Sequence, residues 1–270
     1  MSNPAREIAP AKLNLALHVR GKRPDGRHDI ETIFAFCTDG DGLSAELADD
    51  LVLSASGPFA GDLPTSGENL VSKAARALQA EAGVTKGASI HLEKKLPVAS
   101  GIGGGSADAA ATLRLLTSLW QIDPNHASTV APRLGSDVPA CLLSLPVRGA
   151  GAGDELSPIE LPDVRGKPIL LINPRVELST AAVFGTWDGN DLGPLGDWRE
   201  GRNDLEAPAK SLVPQIETVL AWLSIQPGKE FARMSGSGAT CFALFDSEGA
   251  RDLAADNVPR EWWRFATFLR

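Results

Sequence analysis

Leu96-Pro97-Val98-Ala99-Ser100-Gly101-Ile102-Gly103-Gly104-Gly105-Ser106-Ala107-Asp108-Ala109-Ala110 is the stretch from which the rest of the chain is read. Four glycines fall within five positions, and a helical pattern of Ala109, Leu113, Leu116 and Trp120 follows at once, with Ser106 placed to cap it. Glycine permits backbone angles closed to other residues and lets a ligand approach the main chain. A helix that opens directly after such a loop presents unpaired N–H groups and the positive end of its dipole, a combination suited to phosphate. The stretch lacks the Gly-Lys-Ser/Thr ending of a P-loop and is not the Gly-x-Gly-x-x-Gly of a dinucleotide fold. It predicts a phosphate cradle of another kind; the alternative is a flexible connector, which the Ala-rich helix at its end argues against.

Upstream, Ser89 to Leu96 alternates as a strand with Ile90 and Leu92 inward, so the cradle sits between strand and helix. Glu68 to Glu81 has helical spacing and ends at Gly83. Lys12 to Arg20 alternates too: Leu13, Leu15, Leu17 and Val19 form one face, and Lys12, Asn14, Ala16, His18 and Arg20 form a polar face available to a site. Pro24-Asp25-Gly26 is a turn, followed by strands at Glu31–Cys37 and Leu51–Ala55. Downstream, Asp123-Pro124 and Gly135-Ser136-Asp137-Val138-Pro139 each read as an N-cap with proline in the first turn.

Pro158, Pro162 and Pro168 mark a boundary that divides the chain into 1–160 and 161–270. Beyond it come a strand at Ile169–Ile172, a short helix capped at Ser179-Thr180 and running through Phe184, and a loop over Gly185–Gly201. A helix over Ser211–Ile225 follows, then strands at Phe231–Met234 and Thr240–Phe245 around a second glycine turn, Ser235 to Ala239, and a last strand at Trp262–Leu269. Strands and helices intermix without regular alternation, which predicts an α+β fold.

A chain of 270 residues has room for one large or two ordinary domains. Its net charge of -8 argues against a nucleic-acid or anionic-membrane surface, while a local basic cluster remains free to hold a small anion. The cysteines, Cys37, Cys141 and Cys241, are odd in number and lack metal or redox spacing, so they predict reduced thiols. No apolar leader opens the chain and no apolar run approaches a membrane span, so the expectation is a cytoplasmic protein.

Three blocks in this order carry a resemblance: Ala11-Lys12-Leu13-Asn14-Leu15 running into Pro24-Asp25-Gly26-Arg27-His28; the glycine loop; and Met234-Ser235-Gly236-Ser237-Gly238-Ala239-Thr240-Cys241-Phe242. With Leu134-Gly135-Ser136-Asp137-Val138-Pro139 they resemble the GHMP kinase superfamily over nearly the whole chain. The resemblance implies an N-terminal half like ribosomal protein S5 domain 2, a ferredoxin-like C-terminal half, and an active cleft between them. It implies ATP as co-substrate, with Mg2+, and transfer to the 2-hydroxyl of a methylerythritol unit carrying cytidine diphosphate, in non-mevalonate isoprenoid synthesis. Another GHMP acceptor (mevalonate, homoserine or a sugar) is the alternative in the same class, and a silent nucleotide-binding module the alternative outside it.

The resemblance assigns Asp137 as general base and Lys12 as its electrostatic partner; otherwise Asp137 is an ordinary helix cap and Lys12 a solvated strand lysine. Pro97, Val98, Ala99, Ser100, Gly101, Ile102, Gly103, Gly104, Gly105, Ser106 and Ala107 would bind the triphosphate, with Asn69 and Lys94 near the adenine. The alternatives are a helix cap for Asn69 and a surface charge for Lys94. Asn14, His28, Thr180 and Phe184 match polar and stacking contacts to the cytidyl substrate; a turn histidine and a core aromatic are the alternatives for His28 and Phe184. Family members usually place Tyr before the histidine as a stacking plate; here Arg27 stands there, and the chain contains no tyrosine. A guanidinium plane stacks on bases and pairs with phosphate, so Arg27 is expected to take over one of those tasks. No acidic cluster marks a protein ligand for the metal.

Overall fold

A computed structural model describes residues 4–64 and 69–270. Two long strands, β1 (Ala5–Lys22) and β2 (His28–Ala48), pair with each other, and each contributes to two compact units. The first unit holds the chain up to Ala11, Asp39–Val98 and Gly103–Ser144; the second holds Lys12–Thr38, Ala99–Ile102 and Leu145–Arg270. Compactness therefore interleaves the chain, a different division from the linear one at 160/161, because β1, β2 and the glycine loop each cross from one unit to the other.

In the first unit the end of β2 pairs antiparallel with β4 (Gly87–Glu93), which pairs parallel with β3 (Leu51–Ser56). Ile90 and Leu92 point into the core as their alternation predicts. Four helices pack together here: α1 (Leu70–Glu81), α2 (Gly104–Trp120), α3 (Pro124–Leu134) and α4 (Val138–Leu143). The expected first residue of α1, Glu68, lies outside the described residues. Asp123 caps α3 as expected, its side chain accepting from the N–H of Asn125 at 2.8 Å. Helix α2 is buried almost all round between Ala107 and Leu116, which a single apolar stripe does not foretell.

In the second unit the start of β2 pairs with β5 (Val147–Ala150), and β5 with β6 (Glu155–Pro158). Next come β7 (Pro168–Asn173), α5 (Thr180–Thr186), α6 (Glu206–Leu212), α7 (Gln215–Ser224), β8 (Lys229–Met234), β9 (Cys241–Phe245), α8 (Glu248–Asp256) and β10 (Trp263–Phe268). The sheet order β10-β7-β9-β8, all antiparallel, is the ferredoxin-like arrangement. Leu170, Ile172, Cys241, Ala243 and Phe245 fill its core with Val219 and Leu223 of α7. The helix expected over Ser211–Ile225 is two helices instead: Pro214 has no N–H to continue α6, and the chain restarts as α7. α8 is not marked in the sequence because Gly249 weakens its opening turn, nor is β6, a four-residue strand ending in proline.

The alternation over Lys12–Arg20 is a strand, but every residue of β1 from Ala9 to Val19 is buried. The polar face is thus packed, with Lys12, Asn14 and His18 each less than 5% exposed. Gly40 permits β2 to run close to β1: an added Cβ would lie 1.9 Å from the Ala9 carbonyl oxygen. Gly40→Ala is expected to destabilise the protein by about 1–3 kcal/mol or more, read as a lower urea midpoint at unchanged slope.

Candidate active site

The glycine loop takes its shape from three residues of positive φ: Ala99 (49°), Gly101 (78°) and Gly103 (62°). Gly103 is the N-cap of α2 in left-handed conformation, and no side chain caps the helix. Ser106 therefore does not cap; it lies inside the first turn, because Gly103 lets the chain enter the helix at Gly104. The backbone donors of that turn are left without a side-chain acceptor, as an anion site requires.

The middle of the loop, residues 99–102, is anchored within the second unit by three consecutive carbonyls. Ser100 O accepts from the Thr240 N–H at 3.2 Å, Gly101 O from Ser235 Oγ at 3.0 Å, and Ile102 O from the Lys12 N–H at 3.0 Å. In a trans peptide the C=O and the following N–H point opposite ways, so tying these carbonyls back turns the N–H groups of Gly101, Ile102 and Gly103 to the other side. The second glycine turn joins β8 to β9 as a hairpin and also supplies this anchor. Asn203 Nδ2 donates to its Met234 and Gly236 carbonyls, both at 2.8 Å.

Lys12 is buried, its Nζ donating to Asn14 Oδ1 at 2.9 Å and standing 4.7 Å from the Phe34 ring centroid. Asn14 is held in turn: Nδ2 donates to Thr32 Oγ1 at 2.8 Å, and its own N–H donates to Ser235 Oγ at 3.1 Å. Lys12 is thus no solvated strand lysine, and it meets Asn14, Ile102 and Ser235 in one web. Ser235 belongs to the second glycine turn marked in the sequence, whereas nothing about an isolated Thr or Asn marks Thr32 or Asn203 before the chain folds.

His28 stacks on Phe184 with ring centroids 4.8 Å apart, and Trp187 meets His28 edge-on at 5.6 Å. Burial, with the nearby Lys22 charge, holds the His28 imidazole below its ordinary range, so it is neutral at pH 7. Phe184 is half-buried at the end of α5, whose N-cap Ser179 accepts from the Ala182 N–H at 3.4 Å as expected. Thr180 Oγ1 lies 2.9 Å from Ser237 Oγ. Arg27 is exposed, and its guanidinium pairs with Asp25 at 2.9 Å and reaches Asp154 at 3.7 Å.

In the first unit Asn69 caps α1, its Oδ1 accepting from the Val71 N–H at 2.8 Å. Lys94 is not the surface charge of the alternative reading. It is 1% exposed, and its Nζ donates to Asp41 Oδ2 at 2.5 Å and Asp108 Oδ2 at 2.7 Å. The sequence carried one signal for this cluster: an Asp set in the Ala-rich run Ala107–Ala111, a place where burial requires a partner. Asp137 is the half-buried N-cap residue of α4, but its side chain accepts no bond from that helix, so capping is not its task. Among the described residues no three His, Cys, Asp or Glu side chains are grouped to hold a metal, and no helix is long and apolar enough to cross a membrane.

Residues 69–144 match the GHMP kinases N terminal domain, and 184–264 the GHMP kinases C terminal domain. The fold and its anchored glycine loop thus define a GHMP kinase. A 4-diphosphocytidyl-2-C-methyl-D-erythritol kinase of Rhizorhabdus wittichii is 53% identical over 98% of this chain and 94% of its own length, and one of Novosphingobium aromaticivorans is 49% identical over 98% and 93%. A crystal structure of 4-(cytidine 5'-diphospho)-2C-methyl-D-erythritol kinase superposes with a TM-score of 0.85 at 32% identity, over 98% of each chain. The chain belongs to the 4-diphosphocytidyl-2-C-methyl-D-erythritol kinase family; it is a kinase, with ATP as its co-substrate.

A Cβ added at Gly101 would lie 2.6 Å from the carbonyl oxygens of both Ser235 and Gly238. Gly101→Val is expected to lower the thermal midpoint and weaken binding of an ATP analogue in a titration. Gly21→Ala, a site where an added Cβ meets nothing within 4 Å, leaves both unchanged.

Proposed function

We propose that this kinase transfers the γ-phosphoryl group of ATP to the 2-hydroxyl of 4-diphosphocytidyl-2-C-methyl-D-erythritol, a step of non-mevalonate isoprenoid precursor synthesis. The observation that carries the reading is the triple carbonyl anchor of the loop, which joins Lys12 to the main chain of the phosphate cradle. The names and extent of the relatives support the acceptor.

Phosphoryl transfer leaves a protein mainly positioning and electrostatics to supply. Residues 97–107 bind the triphosphate through backbone N–H groups, with Ser106 also reaching phosphate and Asn69 and Lys94 on the adenine side. The acceptor is a hindered tertiary alcohol of low acidity. Asp137 accepts its proton as phosphorus arrives, and Lys12 steadies the charge that develops. The packing of Lys12 against Asn14 supports this, because a buried ammonium with few degrees of freedom needs no reorganisation during the step. Mg2+ brought in with ATP would neutralise charge on its phosphates.

On the acceptor side Asn14, His28, Thr180 and Phe184 hold the cytidine diphosphate, and Arg27 contributes positive charge shared with Asp25 and Asp154. The linear halves are read accordingly: 1–160 as the nucleotide-binding domain and 161–270 as the C-terminal domain. Homoserine and mevalonate kinases share the fold at 19% and 9% identity, which bears on architecture alone. A coupled assay offering each acceptor with ATP tests the assignment: turnover is expected with the cytidyl substrate, and preference for mevalonate or homoserine overturns it.

Asp137→Asn is expected to lower kcat by about 10²–10⁴-fold while ATP affinity stays within about threefold, measured by steady-state kinetics and titration. Phe184→Ala is expected to raise the KM for the cytidyl acceptor by roughly 10-fold, from about 1–3 kcal/mol of base stacking. Because His28 is held neutral, acceptor KM is expected to be flat from pH 7 to 8. It should rise only as pH falls below the free imidazole value of about 6.5, and His28→Phe removes that rise.

A further inference from the structure

Both stems of the glycine loop close on one buried cluster in the first unit. Asp41 Oδ1 accepts the N–H groups of Lys95 at 2.6 Å and Leu96 at 2.8 Å, the two residues that lead into the loop. Its Oδ2 takes the Lys94 ammonium, which also donates to Asp108, the fifth residue of α2 on the exit stem. A Cβ added at Gly104 would stand 3.2 Å from Lys94 Nζ, so the ammonium lies directly behind the first turn of the helix. The three side chains are between 0% and 3% exposed, and Asp108 Oδ1 has no hydrogen-bond partner. A buried polar atom left unpaired is costly, and its retention asks for a reason beyond stability.

We propose that Asp108 is a positioning residue for phosphoryl transfer: acting through Lys94 and Asp41, it holds the entry and exit stems of the glycine loop at the separation the ATP triphosphate requires. This rests on the reading of the loop as the phosphate cradle. Burial and the adjoining Asp41 carboxylate push the Asp108 carboxyl up to about 8, against the pull of Lys94. At pH 7 the acid form prevails, and the cluster of one acid, one carboxylate and one ammonium is close to neutral. Ionisation would add a negative charge to the α2 segment that opens at Gly104, against the phosphates the loop is read to hold. The helices packed on α2 carry Lys73, Arg76, Glu81, His126, Arg133 and Cys141; Arg133 pairs with Glu81, Arg114 of α2 itself pairs with Glu7, and Lys94 and Asp41 dominate at Asp108.

The test uses the full chain, with KM for ATP and for the acceptor measured from pH 7.5 to 9, above the range in which the terminal phosphate of ATP titrates. Unmodified enzyme is expected to show an ATP KM that rises several-fold across this range. Asp108→Asn keeps an acceptor for Lys94 and removes the titrating carboxyl; its ATP KM should match the unmodified value within about threefold at pH 7.5 and stay flat to pH 9. Asp108→Ala should raise ATP KM at least 10-fold at every pH while acceptor KM is unchanged. The inference is overturned if Asp108→Asn loses ATP affinity as Asp108→Ala does, or if it retains the rise with pH. It is equally overturned if Asp108→Ala binds ATP normally while Gly103→Val, which strains the loop itself, does not. Indifference of ATP affinity to Gly103→Val as well would instead sink the reading of the loop.

Discussion

A loop that offers its N–H groups to an anion has to be held by its carbonyls. Everything at this site follows from that constraint. Ser100, Gly101 and Ile102 give up three successive carbonyls to Thr240, Ser235 and Lys12. Glycine makes the path available, but it supplies no side chain with which to fasten it. The fastening therefore comes from β1 and from the turn between β8 and β9, and Gly236 lets that turn approach closely, since an added Cβ there would lie 2.9 Å from the Gly101 carbonyl oxygen.

The same constraint explains why charged groups are buried. An ammonium out of water is costly unless its donors are used. Lys12 meets this with Asn14 and the Phe34 ring, and Lys94 with the side chains of Asp41 and Asp108. In both cases the lysine is immobilised rather than solvated, and in both it is bonded to the element that carries the loop. A long, flexible cation becomes a fixed charge, which is the form in which it contributes to positioning without ordering cost at each turnover.

Several features were legible in the residues alone. Period-2 alternation marked β1 and β4, the Asp-Pro grammar marked α3, and the order of three blocks pointed to the superfamily. Lys12 stood out through its block; its burial did not, because alternation reports one apolar face and is silent on what covers the other. The start of α2 departs from its sequence signal for a related reason: Ser106 is the better capping residue by chemistry, yet Gly103 reaches a left-handed conformation that Ser would resist. Pro214 marks a break that is legible in the residues, whereas α8 is not legible, since Gly249 hides a helix that packing stabilises.

What the chain by itself determined was local: where glycine frees the backbone, where proline stops it, and which apolar rows must find cover. Those are properties of single residues and short spacings. Partnership across distance was decided only by the tertiary structure. Asp41 and Asp108 flank Lys94 from 53 and 14 residues away, and Ser235 meets Asn14 across 221. Short polar side chains such as these carry no periodic signature. Their role comes from the low-polarity surroundings that force each buried donor to find an acceptor, and those surroundings exist only once the strands and helices have closed around them.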